Sequence, residues 1–430
     1  MSDPTQSQTP STPSTARAVL ARLDEVRRWQ EELYRQLHAH PELSHEEHET
    51  AAEVARRLEE FGFEVHSGIG GTGVVGILAN GDGPRVLLRA DMDALPVKEQ
   101  TGLDYASEVV AGDRSSGVPV SHACGHDVHV TALLGAASLL ADARDAWSGT
   151  VVALFQPAEE VGDGARGMVD DGVADVVGTP DVALAQHVLR MPSGSVGTRS
   201  GPVLSGADSM RITVHGRGAH GSMPQSSVDP VVLAAMIVIQ LQTVVSRGVA
   251  PTDPAVLTIG SLHAGSKSNV ISDHAVLELN FRYYDEQTRD TMLASVRRIV
   301  TAACQAAGSP KEPEFELYDH FPLTVNDETA TTRVGEAFAD FFGDRAGELP
   351  LQSASEDFSD IPSALGVAYT YWGIGGTDPD AYAQAERDGT VEELPANHSP
   401  FFAPVLQPTL DTGTQALVVA ALAWLGDSPD

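Results

Sequence analysis

Apolar positions along this chain recur with two different periods, and the change from one to the other divides it into elements. Residues 18–37 carry Val19, Leu20, Leu23, Val26, Leu33 and Leu37 at helical spacing, which predicts an amphipathic helix ending at His40 and Pro41. A second helix is expected over 46–61, with Gly62 standing where a C-cap glycine belongs. Short apolar runs at 74–78, 85–89, 150–157 and 182–188 read as buried strands, and the longer run at 130–141 reads as a buried helix. From about residue 205 the order changes to strand 210–214, helix 228–245, strands 255–263 and 275–284, helix 289–306 and a short strand 315–318. That succession is the order of a ferredoxin-like α/β sandwich. Beyond 320 a helix at 329–342, an acidic turn at 355–358, a strand at 367–373 and a closing helix at 405–425 resume the first pattern.

The expected fold class is therefore α/β in two domains. A catalytic domain with a mixed central sheet spans 17–204 and 320–430, and a ferredoxin-like lid is inserted over 205–319. A length of 430 residues suits two cores better than one. Residues 1–16, mostly Ser, Thr, Pro and Gln, predict a disordered tail with neither a signal peptide nor a membrane span.

Charge narrows the function. Against 60 Asp and Glu stand only 27 Lys and Arg, a formal net charge of -33. A nucleic-acid partner needs clustered cations, which this chain lacks, so that class is excluded. Its two cysteines, Cys124 and Cys304, are far apart, which argues against a disulfide framework and points to a reducing cytoplasm.

The stretch 121–129 holds His122, Cys124, His126, Asp127 and His129 within nine residues. Imidazole and thiolate are the preferred protein ligands of borderline divalent metals, although a buried cysteine beside ordinary histidines would read the same way. Three further signals sit near the carboxyl ends of expected strands, where α/β sheets bind ligands. They are Asp91 and Asp93, then Glu159 and Glu160, then His187. Each has a plainer reading, as turn chemistry, an acidic helix start and a satisfied core histidine. Together with His398 in a late loop, Cys124, His126, Glu160 and His187 make five N, O and S donors from four loops. Such a set can hold two ions and leave room for water.

Six motifs in order carry a family resemblance. RADMDALP at 89–96, HACGHD at 122–127, QPAEE at 156–160, GAHGSMP at 218–224, SNVISD at 268–273 and NHSP at 397–400 resemble the amidohydrolase branch of the aminoacylase and carboxypeptidase metallopeptidases. The resemblance covers roughly residues 33–403. It implies hydrolysis of the amide bond of N-acyl amino acids, a small-molecule substrate, by a homodimer joined through the inserted domain. It further implies two divalent ions (Zn, Mn, Co or Ni) on Cys124, His126, Glu160, His187 and His398, with Glu159 as general base for a metal-activated water and Asp93 orienting a ligand imidazole. His220 would polarise the scissile carbonyl from its own or the partner subunit, while Asn269 and Arg282 would contact the substrate's carboxylate and amide. Where many relatives place a metal-binding histidine this chain has Asp91, and Gln225 replaces another frequent histidine. The same machinery also suits a dipeptidase or carboxypeptidase, and a non-catalytic metal-binding scaffold is a further alternative.

Overall fold

The structure, a computed structural model, describes residues 12–112 and 117–425. In chain order the principal strands are β1 (Glu64–Ile69), β2 (Gly73–Asn80), β3 (Arg85–Asp91), β4 (Gly149–Gln156), β5 (Val182–Pro192) and β6 (Val196–Thr198). They continue as β7 (Gly206–His215), β8 (Ala255–Ala264), β9 (His274–Tyr283), β10 (Glu314–Phe321), β11 (Ala346–Glu348) and β12 (Tyr369–Thr377). The chain divides into two compact units, one of residues 1–203, 325–351 and 357–430, the other of 204–324 and 352–356.

Among the described residues the larger unit is built on an eight-stranded sheet of order β1-β2-β4-β3-β5-β12-β6-β11. Its centre, β4-β3-β5-β12, is parallel throughout, and antiparallel neighbours on both sides make the sheet mixed. Parallel strands must be covered on both faces, so they carry nearly continuous apolar runs. Accordingly every residue of β4 is buried. On one face Val86, Leu88 and Ala90 of β3 share a core with Leu133, Ala137 and Leu140 of the helix His126–Asp142 and with Leu417 and Ala421 of the helix Leu406–Leu425.

Register sets the height of the chemistry. Asp91 lies opposite Gln156, Arg89 lies opposite both Leu154 and Ala185, and His187 lies opposite Gly373. Asp91, Gln156 and His187 therefore stand at one level, at the carboxyl ends of parallel strands.

The smaller unit has an antiparallel sheet of order β8-β9-β7-β10, with the helices Pro230–Leu241 and Glu286–Ala307 packed on it. Alternate residues of β9, Leu277, Leu279, Phe281 and Tyr283, enter that core. The strand, helix, strand, strand, helix, strand order is the ferredoxin-like one.

Some boundaries differ from expectation for visible reasons. The expected tail at 1–16 falls largely outside the described residues, but Thr12–Val19 is helical and Ala16 is buried in the core, which corrects the last part of it. The predicted helix at 18–37 is interrupted by a 3₁₀ turn, Leu20–Arg22, before Leu23–Ala39. The smaller unit exceeds 205–319 because β10 runs on to Phe321 and because 352–356 is bonded to it. Ser205 N–H donates to Ala354 O at 2.9 Å, and the Tyr284 hydroxyl donates to Gln352 O at 2.9 Å.

Candidate metal centre

The stretch 121–129 folds as a tight turn into a helix. Gly125 is its N-cap in the left-handed region, φ 87°, and a Cβ there would lie 2.4 Å from Val188 Cγ1. Only glycine meets both conditions. The turn leaves Cys124 before the helix and puts His126 in its first position, both buried.

His126 is held from one side and open on the other. Its Nδ1 is 3.2 Å from Asp93 Oδ1, while Nε2 is buried without a hydrogen-bond partner and faces Asp91 (3.7 Å), Glu159 (3.8 Å) and Glu160 (3.8 Å). Asp93 is anchored in turn by the Ser44 hydroxyl at 2.6 Å and the Glu160 N–H at 2.9 Å. With Nδ1–H donated to Asp93, the Nε2 lone pair is the free ligating one.

His187 has the same polarity. Its Nδ1 donates to its neighbour's carbonyl, Val188 O, at 2.8 Å, and its Nε2 lies 3.5 Å from Cys124 Sγ. Cys124, Glu160 and His398 form a second group, in which His398 Nε2 is 3.3 Å from Glu160 Oε2 and Glu160 Oε1 has no hydrogen-bond partner. His398 adopts φ 71°, a left-handed conformation that costs a non-glycine residue roughly 1 kcal/mol. It is fixed there by its own N–H on Ala123 O at 2.8 Å. Its neighbour Asn397 clamps three loops, donating to Cys124 O at 3.0 Å and Val188 O at 3.1 Å. Glu159 and Glu160 sit on a 3₁₀ turn entered through Ala158, also left-handed at φ 52°. The Ala158 N–H is held by the buried Glu47 at 2.8 Å.

The electrostatics of this pocket call for cations. Asp91, Asp93, Glu159 and Glu160 converge around His126, and the Arg89 guanidinium lies 2.6 Å from Asp91. Although burial opposes its protonation, Asp91 and Asp93 draw a proton onto His126 up to about 10. Burial, with Glu160, Glu159 and Asp91 around it, pushes the Cys124 thiol well up, and burial beside His129 pushes His187 down. Asp91 resists its burial because His126, Arg89 and His129 hold its carboxyl well below the usual range. A thiol among carboxylates will not ionise alone, but a dication supplies the missing positive charge. The orphaned Nε2 of His126 and Oε1 of Glu160, with soft and borderline donors around them, fit a metal site.

Among the sequence candidates, Asp93, Cys124, His126, Glu159, Glu160, His187 and His398 thus come together in the larger unit. His220, Asn269 and Arg282 belong to the smaller one. There His220 pairs with Val270 across a short ladder, Gly221 N–H donates to Asn269 O at 2.8 Å, and Arg282 lies on β9. Residues to which sequence reasoning gave no role hold the centre together. His129 donates Nδ1–H to Asp91 at 2.5 Å and accepts the Val188 N–H on Nε2 at 2.9 Å, so both ring nitrogens are engaged. Arg89, buried in an apolar strand, carried a signal in its own sequence. Ser44 and Glu47, which act on residues far along the chain, carried none.

The comparisons with known proteins agree with this chemistry. Residues 87–396 match the model of peptidase family M20/M25/M40. Thermostable carboxypeptidase 2 of Saccharolobus solfataricus is 39% identical over 72% of this chain and 77% of its own. The N-acetyl-L-cysteine deacetylase of Bacillus subtilis is 37% identical over 80% of this chain and 79% of its own. Among solved structures, the Bacillus subtilis YXEP protein, described as a dinuclear metal-binding peptidase of the M20 family, superposes with a TM-score of 0.75 at 28% identity, covering 93% of this chain and 98% of its own. This chain belongs to peptidase family M20/M25/M40, in its amidohydrolase branch, and is a metal-dependent hydrolase.

Proposed function

We propose that the protein hydrolyses the amide bond of N-acyl amino acids at a two-metal centre, releasing a carboxylate and a free amino acid. The observation that carries this reading is His126, with Nδ1 held by Asp93 and a buried, unpartnered Nε2 facing carboxylates. In this reading Cys124, His126, Glu160, His187 and His398 hold zinc, manganese, cobalt or nickel. Bound there, such ions supply Lewis acidity and bring the pKa of water toward neutrality.

The chain's own residues do the remaining work. Glu159, buried within 3.8 Å of His126 Nε2, takes the proton of the attacking water and returns it to the leaving amine. It can do so only if it is not itself a ligand, which leaves Glu160 as the ligating member of the pair. His220 Nδ1 lies 2.7 Å from Ser222 Oγ and 3.2 Å from Ser222 N, and in this reading it accepts from both, so that Nε2–H donates to a developing oxyanion. Such a donor is commonly worth about 3 kcal/mol. Arg282 anchors the substrate's carboxylate and Asn269 contacts its amide.

The test is turnover of N-benzoylglycine and N-acetylmethionine by metal-loaded protein, before and after chelation. Hydrolysis that is lost on chelation and restored by metal supports the reading, and no hydrolysis of any acyl amino acid by loaded protein overturns it. A carboxypeptidase or dipeptidase activity is the second reading, favoured by the similarity to a carboxypeptidase. Faster cleavage of peptides with free amino termini would select it.

We further infer a homodimer in the cytoplasm. The helix Pro230–Leu241 exposes Val231, Val232, Met236 and Ile239, and β8, an edge strand, exposes Val256 and Leu262. An apolar face beside an open edge favours pairing with a second copy. Among the described residues no helix is long and apolar enough to cross a membrane, and both cysteines are free thiols. Sedimentation of wild type and Ile239→Glu tests the dimer, which is refuted by a monomeric wild type.

A further inference from the structure

Arg282 stands out in a chain so rich in carboxylates. The other half-buried arginines of the smaller unit are neutralised: Arg211 lies between Glu278 and Glu316, and Arg289 grips Asp208. Arg282 has no ion pair among the described residues. Two neutral acceptors hold it instead, Asn280 Oδ1 on Nε at 3.1 Å and Ser355 Oγ on Nη1 at 2.5 Å, and its remaining N–H groups have no described partner. It is half-buried, and burial lowers the pKa of the guanidinium from its ordinary value.

Both holders are themselves fixed. Asn280 and Arg282 are two apart on β9 and share the face away from the core residues Leu279, Phe281 and Tyr283. The Asn280 amide is oriented by its Nδ2, which points to Asp208 O at 3.5 Å and Ser209 Oγ at 3.4 Å, turning Oδ1 to Arg282. Ser355 arrives on the segment 352–356, pinned through Ala354 O by the Ser205 N–H and through Gln352 O by Tyr284. Ser205 Oγ also lies 3.2 Å from Ser355 Oγ.

We infer that Asn280 and Ser355 are positioning residues for Arg282, which they aim through uncharged contacts so that its positive charge stays available to the carboxylate of the substrate. An aspartate in either place would hold the guanidinium equally firmly but neutralise it. The uncharged character of the two holders, and not their hydrogen bonding alone, is therefore the specificity-determining feature. The inference rests on the proposed role of Arg282 as carboxylate anchor.

The experiment compares N-benzoylglycine with its carboxamide, N-benzoylglycinamide, in metal-loaded wild type and in S355A, S355T, S355D, N280D and R282A. Loss or neutralisation of a charge-assisted contact is expected to raise KM for the carboxylate by about tenfold in S355D and N280D. S355A should raise it less, and S355T should restore it. In the Ser355 and Asn280 variants kcat, KM for the carboxamide, metal content and melting temperature should stay near wild type. Calorimetric binding of N-benzoylglycine gives the same comparison without turnover, so a poorly active variant still reports. If R282A leaves the preference for carboxylate over carboxamide unchanged, the anchor role of Arg282 is wrong. If R282A abolishes that preference while S355D and N280D retain it, the anchor stands and the positioning role is refuted.

Discussion

Asp93 and His126 face each other across a buried 3.2 Å contact on Asp93 Oδ1, while Ser44 and the Glu160 N–H hold its other oxygen. The carboxylate thus orients one candidate ligand by its side chain and another by its backbone. Removing it should loosen both. Asp93→Ala is expected to weaken metal retention about 10- to 100-fold, the usual cost of losing a carboxylate behind a ligating imidazole. Metal content after dialysis against graded chelator measures this, and wild-type retention would show that His126 is not a ligand.

How much of this was legible beforehand depended on how locally each feature is encoded. The helix His126–Asp142 and the alternation along β9 follow from side-chain period, which is a property of neighbouring residues. The convergence of Cys124, His187 and His398 was suggested by residue type and by position at strand ends, because parallel strands present their carboxyl ends together. Ser44 behind Asp93, Glu47 beneath Ala158 and Ser355 on Arg282 could not be read that way. Each acts across 49 or more residues through a single hydrogen bond that leaves no periodic trace. The 3₁₀ break at Leu20–Arg22 was missed because apolar spacing continues through it.

Glu159 and Glu160 are neighbours with opposite assignments, and one pair of variants separates them. Glu159→Gln should lower kcat by at least about 100-fold, the range of a lost general base, with metal content near wild type. Glu160→Gln should lose metal as well as activity. Elemental analysis beside single-turnover rates reads both, and metal loss in Glu159→Gln would reverse the two roles.

Gly125 brings the loop of Cys124 against Val188, the residue that also bonds His129 and His187. Gly125→Ala adds a methyl 2.4 Å from Val188 Cγ1 on a backbone at φ 87°. Strain and overpacking together should cost about 2–4 kcal/mol of stability and lower metal occupancy. Gly125→Ala combined with Val188→Ala should recover part of the packing cost but none of the backbone strain. Denaturant unfolding of the two variants separates those contributions, and an unaffected Gly125→Ala would exclude both.

His38, which is not among the candidate ligands, gives stability a pH dependence of its own. It lies buried between Asp127 at 2.7 Å and Glu99 at 3.1 Å, tying the helix Leu23–Ala39 to the start of the helix His126–Asp142. Burial opposes its charge, yet Asp127 and Glu99 raise it from 6.5 to about 10. Because the folded value is raised, the stabilisation is complete below about pH 6.5 and is lost as pH rises toward 10. Unfolding free energy of wild type should therefore fall between pH 7 and 10, and His38→Ala should make that slope shallower, the remainder coming from His126, which is raised over the same range. The same variant should cost about 3 kcal/mol at pH 6, since two buried carboxylates lose their shared cation. Chemical denaturation across this pH range measures both effects. An unchanged slope in His38→Ala would mean that the ring is neutral in the folded protein.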